Sequence, residues 1–259
     1  MLWTLHNRAT EAKRRDGIIK DDKAIEIYDS IDYDYVKSFG PGEYYHAVRS
    51  FLFDKEVSKF LHQFSGAHVV NLGDGLETQQ FRLKDTPASW VSVDLPESND
   101  IREKFINPDS NRTHLACSAL DEAWMNNIPK NEPVFITAQG LFMYFNEKIV
   151  ANLVAKICDT FNSGYIMFDT APVWISNKTM SPNGWKKTSS YSTPKMPWGI
   201  NRDDLQKIML WSENITNIDD INFFAPRGMH KLIFDAWYRI PYAAKHAPSI
   251  VKIEFQRKK

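Results

Sequence analysis

Gly73 and Gly75 end the apolar run "VVNLGDG" and supply a G-x-G turn of the kind that carries a strand into a helix and lets a ligand approach the backbone. A dinucleotide fingerprint asks for a third glycine at position 78, which here is Thr78. Two acids, Asp74 and Glu77, sit inside the turn, whereas a pyrophosphate on a helix N-terminus wants backbone N–H groups and no nearby carboxylate. Asp94 closes the next apolar run, 21 positions after Gly73, close to the ~20-residue spacing at which an acid reaches a ribose hydroxyl. The spacing asks for a ribose and the turn rejects a pyrophosphate. S-adenosylmethionine meets both demands: it has a ribose and an adenine, no phosphate, and a sulfonium and an ammonium that favour acids such as Asp74. Its carboxylate then needs a cation from elsewhere in the chain.

The elements that position these residues follow from apolar patterning. Segments 68–72, 90–94, 133–138 and 165–169 read as buried parallel strands, with 113–116 a weaker one. Asn146 can cap a helix whose apolar positions Ile149, Val150, Leu153, Val154, Ile157 and Phe161 share one face. A capped segment at 201–210, a strand at 214–221, a helix at 228–239 and a final strand at 250–256 complete the series. Alternating strands and helices give a mostly parallel α/β sheet, seven-stranded by this reading, with helices on both faces. Two stretches stand apart. Residues 1–60 are helix-like and polar and form an expected N-terminal cap on a main domain of 61–259. Residues 171–200, rich in Pro, Ser, Lys and Trp, form an expected lid, since structureless connections of about 30 residues are uncommon inside a compact domain. Both can cover the carboxyl ends of the strands, where open α/β sheets bind ligands.

Bulk properties narrow the partners. The chain has 259 residues, enough for one large domain with additions. Lys plus Arg equals Asp plus Glu at 32 each, so no global field draws nucleic acid or an anionic membrane, and a small neutral or zwitterionic partner fits better. Two cysteines, Cys117 and Cys158, are too few for a disulfide framework or a metal site and read as reduced core thiols. No signal-peptide h-region and no run of ~18 apolar residues is present, which leads to the expectation of a cytoplasmic protein. Nothing in the sequence indicates an oligomeric state.

The segments "VVNLGDGLETQQFRL", "VSVDLPE" and "ITAQGLFMYF", in this order, together with "DDKAIEIYDSIDYDY", "YSTPKMPWGI" and "FFAPRGM", resemble the leucine carboxyl methyltransferase family, and in particular its bacterial branch of polyketide-type O-methyltransferases. The likeness runs from about residue 15 to the C-terminus. It implies a Rossmann-like class I methyltransferase fold, S-adenosylmethionine as methyl donor, and an oxygen, often a carboxylate, as acceptor. It matches the family's cofactor arginine with Arg49 in "YYHAVRSFLFD", which would pair with the methionine carboxylate, and a lysine near the cofactor with Lys23. Gly73, Asp74 and Gly75 would line the methionyl moiety, and Asp94 with Leu95 the ribose. Two departures stand out. Gln139 replaces an acid after the fourth strand, keeping a hydrogen-bond acceptor for the ammonium but no charge. After the third strand "CSALDEAW" replaces the family's Asp-Leu, so that Ser118, flanked by Ala119 and Leu120, or Asp121 would take the adenine-side contact.

At the acceptor, an ionised carboxylate needs no base, whereas a hydroxyl benefits from one. His46 and His230 are the histidines placed to face a pocket. Tyr144 after the fourth strand can orient an acceptor oxygen, and Arg227 in "APRGM" can hold a substrate carboxylate. Trp174, Trp185, Tyr191 and Trp198 either wall an apolar acceptor or staple the lid. The expected function is therefore O-methylation of a small molecule, with Tyr144, Arg227 and His230 as acceptor-side residues and no metal. Protein C-terminal carboxyl methylation, non-catalytic S-adenosylmethionine binding and, more weakly, NAD-dependent oxidoreduction remain as alternatives.

Overall fold

The computed structural model describes residues 1–258. In chain order the elements are α1 (Leu2–Ala12), α2 (Asp22–Ser30), α3 (Tyr35–Phe39), α4 (Tyr45–Gln63), β1 (His68–Leu72), α5 (Gln79–Arg82), β2 (Ser89–Asp94), α6 (Pro96–Glu103), β3 (Arg112–Ala116), β4 (Val134–Ala138), α7 (Glu147–Thr160), β5 (Ser163–Thr170), α8 (Val173–Met180), β6 (Ile215–Asn222), α9 (Gly228–Arg239), α10 (Pro241–Lys245) and β7 (Ser249–Gln256). They form one seven-stranded sheet in the order β3-β2-β1-β4-β5-β7-β6. All pairings are parallel except those of β7, which runs antiparallel between β5 and β6. The order reverses between β1 and β4, so their carboxyl ends open a crevice where a ligand can reach the backbone.

The sheet is apolar on both faces because both are covered. On one, Val150, Leu153, Val154 and Ile157 of α7 pack on Val70, Ile136 and Ile166. Asn146 starts that helix as the sequence suggests, its Oδ1 accepting the Ile149 N–H at 3.0 Å. On the other, Val48, Leu52, Phe53, Val57 and Phe60 of α4 pack on Val69, Phe135, Met167 and Ile250. Helix α4 thus crosses the boundary expected at residue 60: its first turns face the crevice while its apolar stripe belongs to the sheet.

Two other expectations change. The 171–200 stretch opens with a helix, α8, and folds back so that the Ile200 N–H donates to the Ala171 carbonyl at 2.9 Å and the Ser176 hydroxyl to the Met196 carbonyl at 2.7 Å. Segment 202–211 is a 3-10 helix rather than a capped α-helix, and Asn201 makes no side-chain cap there. Its Oδ1 accepts instead from the Val173 N–H at 3.2 Å, which ties this segment to the start of α8.

Candidate functional site

A cavity of about 880 Å³ opens at the carboxyl ends of β1, β4 and β5. Its floor is the turn after β1. Gly73 holds φ +65°, and a Cβ there would lie 2.9 Å from Leu141 Cδ1, so any other residue would strain the backbone and displace Leu141. Across the floor, Gly140 at φ +63° donates its N–H to Asp169 Oδ1 at 2.6 Å. Asp169 closes β5, and its other oxygen accepts from Arg49 Nη1 at 2.9 Å. A Cβ on Gly140 would come within 2.8 Å of that same nitrogen. Asp169 therefore fixes both a backbone donor and the guanidinium of Arg49, in a pair almost sealed from solvent. Arg49 Nε is buried without a partner, as is Gln139 Oε1 at the end of β4, and both residues line the cavity. Trp3 Nε1, Arg8 Nε and Asp74 Oδ1, on other lining residues, are likewise buried without partners. A cation at Arg49 and free acceptors on Gln139 and Asp74 suit a zwitterion: a carboxylate at Arg49 and an ammonium on the acceptor side.

Asp94 sits at the end of β2 with its carboxylate aligned by two backbone donors, the Gly75 N–H at 2.7 Å and the Leu95 N–H at 2.8 Å. Leu95 is exposed and begins α6. Beyond it, after β3, Ser118 Oγ accepts the Leu120 N–H at 3.2 Å and the Ala119 carbonyl accepts from Trp124 Nε1 at 3.0 Å. Asp121 spends its carboxylate capping the 3-10 helix 122–127, on the Ala123 N–H at 2.9 Å. Ser118 keeps its hydroxyl proton free to donate, and this distinguishes two residues that the sequence leaves equivalent. Asp94, Leu95, Ser118, Ala119 and Leu120 are not among the residues that line the cavity.

Asp74, expected beside the cofactor's cations, lines the cavity and pairs through Oδ2 with Arg102 Nη2 of α6 at 2.8 Å, while its Oδ1 has no partner. Burial, opposed by Arg102, pushes its carboxyl up to about 6. Glu77 also lines the cavity, its carboxylate held by Arg8 at 2.8 Å and Arg82 at 2.7 Å. Those arginines draw its carboxyl well below the usual range, although burial alone would raise it. Arg8, Arg82 and Arg102 went unnoticed in the sequence because their partners come from separate elements. Lys23 is off the cavity: α2 is capped by Asp21, and Lys23 on its first turn pairs with Glu26 one turn on, at 2.6 Å.

The acceptor end is roofed by both additions to the sheet. From the N-terminal segment come Trp3, Tyr44 and His46, and from the lid Ile175, Trp185, Lys187 and Met196. The Thr188 hydroxyl donates to the Ser38 carbonyl at 2.7 Å and Lys187 pairs with Glu43, so lid and cap are clasped. Trp174 and Trp198 play no part in the lining; Trp198 packs into the sheet core. Tyr144 faces the cavity, and burial, with Tyr191 and Asp169 nearby, pushes its hydroxyl up to about 12, so it remains a donor at neutral pH. Arg227 reaches the mouth, but its guanidinium grips Glu11, one contact being Nη1 to Oε2 at 2.9 Å, and also Asp16. That corrects its assignment as a free anchor for a substrate carboxylate. His230 is exposed at the mouth, with its ring 6.1 Å from that of Tyr44.

Among the described residues no cluster of three or more His, Cys, Asp or Glu would hold a metal, and no helix is long and apolar enough to cross a membrane. Cys117 and Cys158 are free thiols.

Sheet order, glycine turn and ribose-type acid together define the class I S-adenosylmethionine-dependent methyltransferase fold. Within it, the profile described as "Leucine carboxyl methyltransferase" matches residues 2–158, more than half of the chain, and the chain belongs to that family. It is similar to the tetracenomycin polyketide synthesis O-methyltransferase TcmP of Streptomyces glaucescens, at 26% identity over 67% of this chain and 66% of the relative. It is also similar to the S-adenosyl-L-methionine-dependent methyltransferase dpfgK of Gibberella zeae, at 24% identity over 68% and 66%. The matched part spans just under two thirds of the length of these curated relatives. Among solved structures, the CurJ carbon methyltransferase superposes with a TM-score of 0.54 at 10% identity, covering 97% of this chain and 68% of that one, a likeness of fold alone.

Proposed function

We propose that this protein is an S-adenosylmethionine-dependent methyltransferase that methylates an oxygen, most simply a carboxylate, of a small apolar molecule. The observation that carries the cofactor reading is the pair of buried, unpartnered atoms Arg49 Nε and Gln139 Oε1 beside the Gly73 turn. Arg49 would hold the methionine carboxylate, Gln139 the ammonium, Asp94 the ribose hydroxyls, and Ser118 with Leu95 the adenine edge. When bound, the cofactor supplies a methyl carbon on a sulfonium: the acceptor oxygen's electron pair forms the new O–C bond while the C–S pair returns to sulfur.

The chain's contribution is to place the oxygen and exclude water. An ionised acceptor is favoured because every acid lining the cavity is matched to a cation: Glu11 to Arg227, Glu43 to Lys187, Asp74 to Arg102, Glu77 to Arg8 and Asp169 to Arg49. None of these is an uncommitted base. The arginine and lysine side chains of the lining are paired as well, so a carboxylate would be held there by neutral donors, of which Tyr144 is one. An aromatic and methionine wall of Trp3, Trp185, Met143 and Met196 supports an apolar body for the acceptor, in keeping with the polyketide-modifying relative. His230, at the mouth, would serve a hydroxyl acceptor better than a carboxylate.

The test is incubation with S-adenosylmethionine labelled in its methyl group and a panel of aromatic carboxylic acids and matched phenols. Label in a methyl ester is the expected result. Label in ethers alone would reverse the choice of oxygen, and label in no small molecule would return the field to a protein acceptor or a non-catalytic binder.

A further inference from the structure

His46 lies one turn before Arg49 on α4, so both project from the same side of the helix toward the cavity. Its ring is buried edge-on against Trp3, with centroids 5.0 Å apart. Nδ1 stands 2.8 Å from Asn7 Nδ2. The orientation of Asn7 is fixed independently, because its Oδ1 accepts the Glu43 backbone N–H at 3.0 Å, and a backbone N–H only donates. The amide nitrogen of Asn7 must then face the ring, and an amide NH₂ also only donates. Nδ1 is therefore the accepting nitrogen, and in neutral imidazole the single ring proton sits on Nε2. Among the described residues Nε2 has no hydrogen-bond partner, and it is not one of the atoms sealed inside protein. Burial, with the Arg49 and Arg8 guanidiniums nearby, keeps the ring neutral well below the ordinary histidine range.

We propose that His46 holds the methyl-acceptor oxygen as a hydrogen-bond donor through Nε2–H, and that Asn7 and the Glu43 backbone are positioning groups that lock this tautomer. The proposal rests on the methyltransferase reading for the identity of its ligand, but the state of the ring does not. The basic lone pair is spent on Asn7, so the cavity-facing nitrogen cannot take a proton from the acceptor. His46 therefore orients an oxygen that arrives ionised, and Tyr144, which lines the same cavity, is a second neutral donor.

The test is ¹⁵N NMR of the full-length protein with His46 assigned by comparison with His46→Gln. Nδ1 should resonate as an unprotonated nitrogen and Nε2 as a protonated one from about pH 5 to 8. In Asn7→Asp the new carboxylate should draw the proton onto Nδ1. A proton already on Nδ1 in the wild type, or an imidazolium titrating near its ordinary value, would overturn the proposal. A second arm saturates the protein with S-adenosylhomocysteine and titrates benzoate, 2-naphthoate and anthracene-2-carboxylate. At least one acid should bind and shift the Nε2–H resonance. It should bind His46→Phe about tenfold more weakly and His46→Gln, which keeps an N–H at that reach, within about threefold of wild type. Binding without a shift, binding by none of the acids, or equal losses in Gln and Phe would each count against the donor role. Failure of S-adenosylhomocysteine itself to bind would instead remove the cofactor reading and leave the tautomer result standing.

Discussion

Behind the Gly73–Glu77 turn, charges pair with one another in a dense network. Arg82 meets Asp54 at 2.6 Å and Asp21 and Glu77 at 2.7 Å, Arg8 adds a second bond to Glu77, and Arg102 grips Asp74 and the carbonyls of Gly75 and Glu77. In front of the turn the pairs are separate, Arg49 with Asp169, Lys187 with Glu43 and Arg227 with Glu11, and they stand among neutral groups that line the cavity: Gln139, Tyr144 and His46. The same residue types thus build scaffold on one side and a receptor on the other. The difference lies in how densely opposite charges share partners: Arg82 alone serves three carboxylates, whereas Arg49 serves one. A network closed on itself sews α1, α2, α4 and α5 to β1 and gains little from its charges beyond what burying them costs, whereas a group left open retains its hydrogen-bonding capacity for a ligand.

The contrast is broken most severely from behind. Arg82→Met would leave Asp21, Asp54 and Glu77 buried without their shared cation, and should cost about 3–5 kcal/mol in urea unfolding. A loss below 1 kcal/mol would mean that the network is not the clamp described here.

Asp74 adds a pH dependence of definite sign. Its folded carboxyl is raised to about 6 from an ordinary 3.8, so between those values the folded state binds more protons than the unfolded chain. Stability from this group is present at low pH and falls as pH rises from about 4 to 6, by at most about 3 kcal/mol. Glu77, shifted downward, acts oppositely and below its ordinary range, its contribution disappearing as acid protonates it. In Asp74→Asn the decline between pH 4 and 6 should vanish in thermal unfolding, and an unaltered profile would place the titration elsewhere.

In front of the turn the effects should appear in binding. Arg49→Met alone would strand Asp169, so the informative variant is Arg49→Met with Asp169→Asn, which removes both charges. It should fold and bind S-adenosylhomocysteine about 10- to 100-fold more weakly, the loss of one charge-assisted contact of about 1.5–3 kcal/mol. Affinity preserved in calorimetry would remove Arg49 from the cofactor's carboxylate. Smallest of all, Lys23→Ala should leave affinity within about twofold, since it gives up a pair with Glu26 and a place over the Phe81 ring, both off the cavity; a larger loss would restore the lysine that the family resemblance suggested.

What the sequence made legible follows the same division. β1 and the turn could be read because a buried apolar run must end where glycines permit positive φ, and Asp94 because its distance from Gly73 is set by one helix and one strand. The arginine partners of Asp74 and Glu77 could not be read from the turn, because Arg102, Arg8 and Arg82 lie on other elements, up to 69 positions away for Arg8. Arg227 was read as free because Glu11, 216 positions earlier, gives no sign of proximity. His46 was visible as a residue, but its tautomer depends on Asn7 and Glu43, and only the folded arrangement joins the three. Helix α8 was hidden in a segment whose Pro, Ser and Lys content reads as loop.

The central claim is that the open groups around Arg49 form a cofactor site for S-adenosylmethionine. It is tested most directly by isothermal titration of the protein with S-adenosylmethionine, S-adenosylhomocysteine and NAD. The account requires micromolar binding of the first two and none of the third. Binding of NAD alone, or of none of the three, would contradict it.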